Sequence, residues 1–437
     1  MNTRTHEALS RTSRLINEQF FGGRAEEEHI SAALPQLAVA IRADARNAQS
    51  MAAQTAIVTL ATLVARMGMA VELSCPDVPL GLPQPPLRGA TLCSALAELG
   101  ADLVPGSVIG PTLGRPAVIT FAIGDTPCAA PGALRLSGGD WDLEVGSALL
   151  PGRPWEANLP FGALACAATA AAEALRAALP HLARLAGAEL LADAHRLDVG
   201  QTINLDLRSW YPGRIETQIG AVDAVSGGAI TSSALYVLLR LPGLAGAIRV
   251  IESETLDLSN VNRYMLSRAS LDGIAKTTML ASFSTPSLQI AGLSLHYDEK
   301  TVDHVGPLAR RVLVGVDDIP SRWFIQSHAR DWVGVGATQS LDALASTHLP
   351  GEACAGCLHG REPDGTELIP TISFVSFWSG LLLALELLTA SAGVRPAQQA
   401  IFCWPFGYDG PHLMRLPVAA QPTCPVGCIA SRGQRAA

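Results

Sequence analysis

Twice along this chain an apolar strand runs into a loop, an apolar helix and a second apolar strand. Residues 36–42 read as a strand, the loop ADARNAQSMAAQ follows, a helix spans about 55–67, and Gly68 ends it before a strand at 70–73. The second unit has a strand at 215–222, the loop DAVSGGAITSS, a helix over about 233–241 ended at Pro242-Gly243, and a strand at 248–251. Two parallel strands need a crossover of that length, so each unit is the seed of a doubly wound parallel sheet. The echo continues. PAVITFAIGDTP (116–127) matches RRVLVGVDDIP (310–320), each an apolar strand ending near Gly, then Asp, then Pro. LPFGALACAATAAAEAL (159–175) matches IPTISFVSFWSGLLLALEL (369–387), each a small-residue-rich apolar helix with one late Glu. Landmarks recurring in one order predict a two-fold repeat. Its joint is expected at 187–213.

The halves differ where chemistry would sit. The first has no glycine in its strand-to-helix loop and only SCPDVPL, with Asp77, after its second strand. The second has Gly220, Gly227 and Gly228, which free backbone N–H groups to turn onto a phosphate. After its second strand comes ESETLDLSNVNRY (252–264), then DGIAK ending at Lys276, and Asp317 at a later strand end. Acids past a strand tip can hold ribose hydroxyls, and an Asn with an Arg can reach phosphate. A solvated loop is the plain alternative, and it leaves that ordered set without a reason.

The chain has 437 residues, long for one core, so two domains are expected. Charged residues make up 16% and the net charge is −8, with no basic run to follow a phosphodiester backbone; no nucleic-acid partner is expected. The polar N-terminus lacks an apolar signal core, and the nine cysteines fit a reduced compartment, so a cytoplasmic protein is expected. Residues 371–390 are long and apolar enough to span a bilayer but carry Glu386; a buried core helix is expected there, and no membrane partner.

Together, the strand before ESETLDLSNVNRY, the downstream DGIAK, VLVGVDDIPSR and two cysteine pairs resemble the adenylyltransferases of the ubiquitin-activating type, the ThiF/MoeB-like enzymes. The resemblance covers the last half well and the first half only as a degenerate repeat, similar to the inactive adenylation domain of that family. It implies two tandem Rossmann-like α/β domains in a pseudo-dimer: an arm at 1–30, an inactive domain at 31–190 and an active-type domain at 191–437. It also implies ATP, Mg²⁺ and adenylation of the C-terminal carboxylate of a small ubiquitin-like protein or peptide, for transfer to a thiol or amine. A conjugating-enzyme-like partner is a further implication, and the chain would be a pseudo-dimeric monomer or a homodimer. Carried over by position, Glu252 and Glu254 lie near the ribose, Asn260 and Arg263 contact the triphosphate, Lys276 steadies it, and Asp317, helped by Asp318, holds magnesium. Arg263, Lys276 and Asp317 are the catalytic set implied; Gly220, Gly227 and Gly228 complete the nucleotide set.

The loop departs from the family pattern. Val222 or Asp223 and then Ser226 stand where glycines belong, the first acid is Glu rather than Asp, and an Asp223 near phosphate is unfavourable unless it points away. Cys354-x-x-Cys357 and Cys424-x-x-x-Cys428 suit a structural Cys₄ zinc. With those four assigned, Cys403 is the one cysteine left in that half; it sits in an apolar run, so no thioester nucleophile is evident. His348 and His359 could face the site, though lone histidines there are more often incidental; Arg14 and Arg24 are read first as surface arginines, and either would otherwise serve for the arginine that the family's arm supplies, Glu18 holding the aligned position. Two other readings stay open: a catalytically inactive scaffold for a ubiquitin-like or conjugating partner, and an NAD-dependent oxidoreductase. The second leaves SNVNR, Lys276 and Asp317 without roles.

Overall fold

A computed structural model describes residues 3–191, 197, 201–360, 369–394, 399–407 and 409–428. The described residues form two sheets. The first contains β1 (Ala38–Arg42), β2 (Ala70–Ser74), β3 (Ile109–Gly110), β4 (Ala117–Ile123), β5 (Leu134–Gly138), β6 (Asp142–Ser147) and β7 (Thr202–Asp206), in the order β3-β2-β1-β4-β5-β6-β7. The second contains β8 (Gln218–Val225), β9 (Ala245–Ile251), β10 (Leu288–Leu293), β11 (Arg311–Val314), β12 (Trp332–Gln339), β13 (Asp342–His348), β14 (Gln399–Trp404) and β15 (His412–Pro417), in the order β10-β9-β8-β11-β12-β13-β14-β15. Both sheets have a parallel core and an antiparallel margin, parallel through β3-β2-β1-β4-β5 and β10-β9-β8-β11-β12. The second has one strand more. This is a two-sheet, Rossmann-like α/β fold with one strand order used twice.

β11 reads as an apolar run because both of its faces are covered: Leu313 lies in the core shared with helix Ser373–Ser391, and Val312 and Val314 cluster with Ile325 of helix Ile319–His328. Helix Phe161–Ala186 in the first half and Ser373–Ser391 in the second pack on each other at the centre. Both are long and apolar enough to cross a membrane, and their most apolar windows are 100% and 94% buried inside the protein. The largest apolar core runs through both halves, with Trp155, Trp378 and Tyr236 fully buried, and Thr59 Oγ1 meets Tyr236 Oη across the halves at 3.0 Å.

Several element bounds differ from the sequence reading. The loop expected at 43–54 contains the helix Ala45–Gln49, and helix Met51–Arg66 starts four residues early. Local caps explain this: Asp44 accepts from Asn47 N–H and Ser50 from Ala53 N–H. In the second half β8 runs on to Val225 and the helix spans Ala229–Leu238. β7 pairs with β6, so the first sheet extends past the boundary expected at 190–191. Within the joint at 187–213, residues 192–196 and 198–200 lie outside the described residues. The arm is two helices, Thr3–Phe20 and Glu27–Ala33, and the first reaches the second half, where Asn262 Nδ2 donates to Thr12 Oγ1 at 2.8 Å.

Candidate nucleotide site

Parallel strands whose connections leave in opposite directions open a crevice at their carboxyl ends. In the second sheet that place is between β8 and β11. There a cavity of about 380 Å³ is lined by Arg11, Ser226, Gly228, Glu252, Glu254, Asn260, Arg263, Tyr264, Lys276, Asp317 and Arg322, among others. β8 turns through Ser226-Gly227-Gly228 into helix Ala229–Leu238, whose N-terminal N–H groups favour an anion. Ser226 holds φ +88°, a left-handed conformation that costs a non-glycine residue about 1 kcal/mol. Its Oγ accepts from Gly228 N–H at 3.0 Å, which fixes the turn. Gly227 is close to Lys276 and Glu252; a Cβ there would stand 3.1 Å from Lys276 Cβ.

Glu252 braces the loop: Oε2 accepts from Gly227 N–H and Oε1 from Glu254 N–H, both at 3.0 Å. Glu254 is the exposed carboxylate of the two and pairs with Lys276 Nζ, which also lies 4.0 Å from Glu252. Burial works to lower the Lys276 pKa, but Tyr264, Glu254 and Glu252 together outweigh it and raise the value, so the amine stays charged. Asn260 closes a capping box with Asp257 on the turn Leu258–Asn260. Arg263 is buried, and its Nη1 donates to Ser259 O and Asn262 Oδ1, both at 2.7 Å. Burial pushes its pKa down to about 10, still a cation at neutral pH, with Arg11 lowering it further and Tyr264, Asp317 and Asp257 opposing. Asp317 is exposed beyond β11. The carboxylate of Asp318 caps helix Ile319–His328 through Ser321 N–H at 2.7 Å. Val225, Ile251, Leu295, Tyr297 and Ile325 make part of the cavity apolar, and burial pushes the Tyr297 phenol up to about 12.

Most of the sequence-derived residues thus meet in one cavity; Gly227, whose N–H donates to Glu252, is not among its lining residues. Gly220 lies at a bulge near the start of β8, at φ +64°, outside the cavity lining; the glycine relieves a register shift between strands. Asp223 is within β8 rather than the loop and points away, bound bidentately by Arg249 at 2.8 and 2.7 Å. His348 is buried against Ser346, and burial lowers its pKa to about 4; His359 packs on Arg322 at 3.3 Å. Neither histidine lines the cavity.

The arm arginine in the cavity is Arg11, which donates to Ile369 O at 3.0 Å. Arg14 instead pairs with Glu18 and Glu27, and Arg24 with Glu189. Helical spacing does not tell Arg11 from Arg14; packing of the arm decides. Arg322 was also missed. Its Nε donates to Val316 O at 2.9 Å, which anchors the segment carrying Asp317.

Cys354, Cys357, Cys424 and Cys428 bring their sulfurs within 4.8 Å of one another. Sγ–Sγ distances are 3.9 Å for Cys354–Cys357 and 3.3 Å for both Cys354–Cys424 and Cys357–Cys428. Thiolates on tetrahedral zinc stand ~3.8 Å apart, so the cluster fits such an ion. Cys403 is fully buried in β14, and burial pushes its thiol pKa up.

Residues 38–190 match the family model of the BilD N-terminal domain. Over 217 residues the chain is 29% identical to the uncharacterised protein y4jF of Sinorhizobium fredii, an overlap of 48% of this chain and 41% of that protein. The chain therefore spans about two-fifths of that relative's length. Among solved structures, E. coli MccB with AMPCPP and MccA is similar at a TM-score of 0.41 and 16% identity, over 47% of this chain and 66% of that one. E. coli MccB with ATP is similar at 0.40 and 16%, over 47% and 65%. These likenesses are too distant to bear on the site.

Proposed function

We propose that this protein is an ATP- and magnesium-dependent adenylating enzyme that activates the C-terminal carboxylate of a small ubiquitin-like protein or peptide. The observation that carries the reading is the convergence of Arg11, Arg263, Lys276 and Asp317 around one loop and helix N-terminus. A carboxylate oxygen attacks the α-phosphorus, the bond to pyrophosphate breaks, and an acyl-adenylate and pyrophosphate result; no proton moves. The demand is neutralisation of a polyanionic leaving group in line with the nucleophile. Arg263 and Lys276 supply fixed positive charge, the N-terminus of helix Ala229–Leu238 adds its partial positive charge, and Arg11 adds a cation from the arm. Asp317 is the hard oxygen ligand that would hold magnesium, which neutralises phosphate charge when bound. Glu254 is the carboxylate free of the loop brace and so the better ribose contact. The four cysteines would hold a structural zinc, and the acyl group would pass to a thiol or amine acceptor.

A second reading, an inactive scaffold for the same partner class, is favoured by one feature. The Gly227 N–H that would face phosphate already donates to Glu252. ATP–pyrophosphate exchange with short peptides bearing a free C-terminal carboxylate, against their C-terminal amides, separates the two readings. Exchange should require the free carboxylate and fall at least about 100-fold in Asp317→Ala. Exchange undiminished in that variant defeats the mechanism; no exchange with any carboxylate favours the scaffold.

A further inference from the structure

A buried cation from the first half holds the loop that carries the second half's site. Arg66, the last residue of helix Met51–Arg66, has no exposed surface. Its guanidinium crosses between the halves. Nη1 donates to Val261 O at 2.5 Å and Ser267 Oγ at 3.3 Å, and Nη2 to Met265 O at 3.0 Å and Ser267 O at 2.7 Å. Those acceptors bracket Arg263 and Tyr264 and begin one residue after Asn260. Among the described residues no carboxylate forms an ion pair with Arg66. Burial pushes its pKa down to about 9; Tyr236 opposes and Arg268 adds to the fall. A lone buried cation is costly, and packing alone would be served by an apolar side chain. A planar fork of donors, however, fixes the direction of several carbonyls at once.

The other half offers a mirror image. Arg240, two residues past helix Ala229–Leu238, is 4% exposed and donates Nη2 to Pro85 O at 2.6 Å in the first half's loop after β2. Each half's helix arginine thus grips the other half's loop after the second strand, and one of those two loops carries Asn260 and Arg263.

We infer that Arg66 is a positioning residue for nucleotide binding, setting the Asn260–Arg263–Tyr264 turn from the half that lacks the site. The inference rests on the nucleotide reading of that turn. The turn has other ties, Asn262 to Thr12 and Leu266 N–H to Ser232 Oγ at 3.1 Å, so losing Arg66 misplaces it rather than releasing it.

The test compares Arg66→Lys with Arg240→Lys in the full chain, by calorimetric MgATP affinity and by amide hydrogen exchange. Arg66→Lys should weaken MgATP binding about ten-fold or more and speed exchange across 258–267. Arg240→Lys, with a similar loss of Tm, should bind within about two-fold of wild type and loosen 83–88 instead. Where the wild type binds MgATP, equal weakening in both variants, or none in Arg66→Lys, overturns the inference. A wild type that binds no MgATP removes the nucleotide reading. Hydrogen exchange then decides: selective loosening of 258–267 in Arg66→Lys supports the positioning contact, and its absence overturns it. Should Arg66→Lys not fold, Arg66→Gln, which keeps an amide donor but loses the fork, takes its place. About three-fold weaker binding supports the inference and unchanged binding overturns it.

Discussion

The ends of β1 and β8 occupy the same place in two sheets of one strand order, and one is filled while the other is open. At the end of β1, Asn47 enters the crevice. Its Nδ2 donates to Asp44 at 3.0 Å and Asp125 at 2.7 Å, and its Oδ1 accepts from Trp155 N–H at 3.2 Å. A Cβ on Gly124 would lie 2.0 Å from Asn47 Oδ1, so the amide fits against bare backbone. At the end of β8 the chain instead turns at Ser226 in a left-handed conformation and leaves a cavity edged with cations. Where the first half has Cys75 and Asp77 after its second strand, the other has Glu252, Glu254, Asn260 and Arg263. Strand order sets where a crevice forms; side chains decide whether protein or ligand fills it. The filled half then works through contacts: it lends Arg66 to the open half's loop and carries the arm that delivers Arg11.

If the halves are unequal in function, matched substitutions should part widely. Lys276→Ala should lower pyrophosphate exchange about 100- to 1,000-fold, while Asp77→Ala in the first half leaves it within about two-fold. Equal losses would break the contrast. The cysteine cluster belongs to the second half alone among the described residues. Purified protein should carry one zinc by elemental analysis; Cys354→Ser should lose it with several kcal/mol of stability, on the order expected for structural zinc, whereas Cys75→Ser keeps it. Zinc-free wild type of unchanged Tm would sink that expectation.

The paired central helices give a third contrast. Glu173 is tied to Arg176 at 3.1 Å, while Glu386 has Gln399 beside it at 3.3 Å. Burial raises the Glu386 carboxyl pKa to about 7, against the pull of Gln399, Arg415 and Tyr211. The folded state therefore holds this proton more tightly than the unfolded chain. That contribution is complete below pH 4.5, the unfolded value, and is lost as pH rises through about 7. From pH 5 to 8 the wild type should lose on the order of 3 kcal/mol relative to Glu386→Gln in urea unfolding. A difference independent of pH refutes this. Smallest is the arm: Arg11→Ala should weaken MgATP binding about ten-fold and Arg14→Ala less than two-fold, by calorimetry. The reverse ranking would return the role to Arg14.

Much of this was legible along the chain because it is local. Parallel strands buried on both faces need apolar runs, crossovers need helices, and Asn260, Arg263, Lys276 and Asp317 stand at strand ends that the pattern locates. Helix starts were harder to read, since the caps Asp44 and Ser50 sit inside a stretch that looks like plain loop. Asp223 was misplaced for a related reason. Counting residues put it in the loop, but β8 continues two residues past it, and strand alternation turns it onto Arg249.

By itself the sequence determined the two-sheet architecture and the residue types gathered at the end of β8 and in the cysteine cluster, because apolar periodicity and residue chemistry are written in order. The tertiary structure alone decided that Arg11 rather than Arg14 enters the cavity, that Asn47 closes the other crevice and that Arg66 grips a turn almost 200 residues away. Those outcomes depend on which side chains meet once two halves share a core. Contacts between segments so far apart leave no spacing to read.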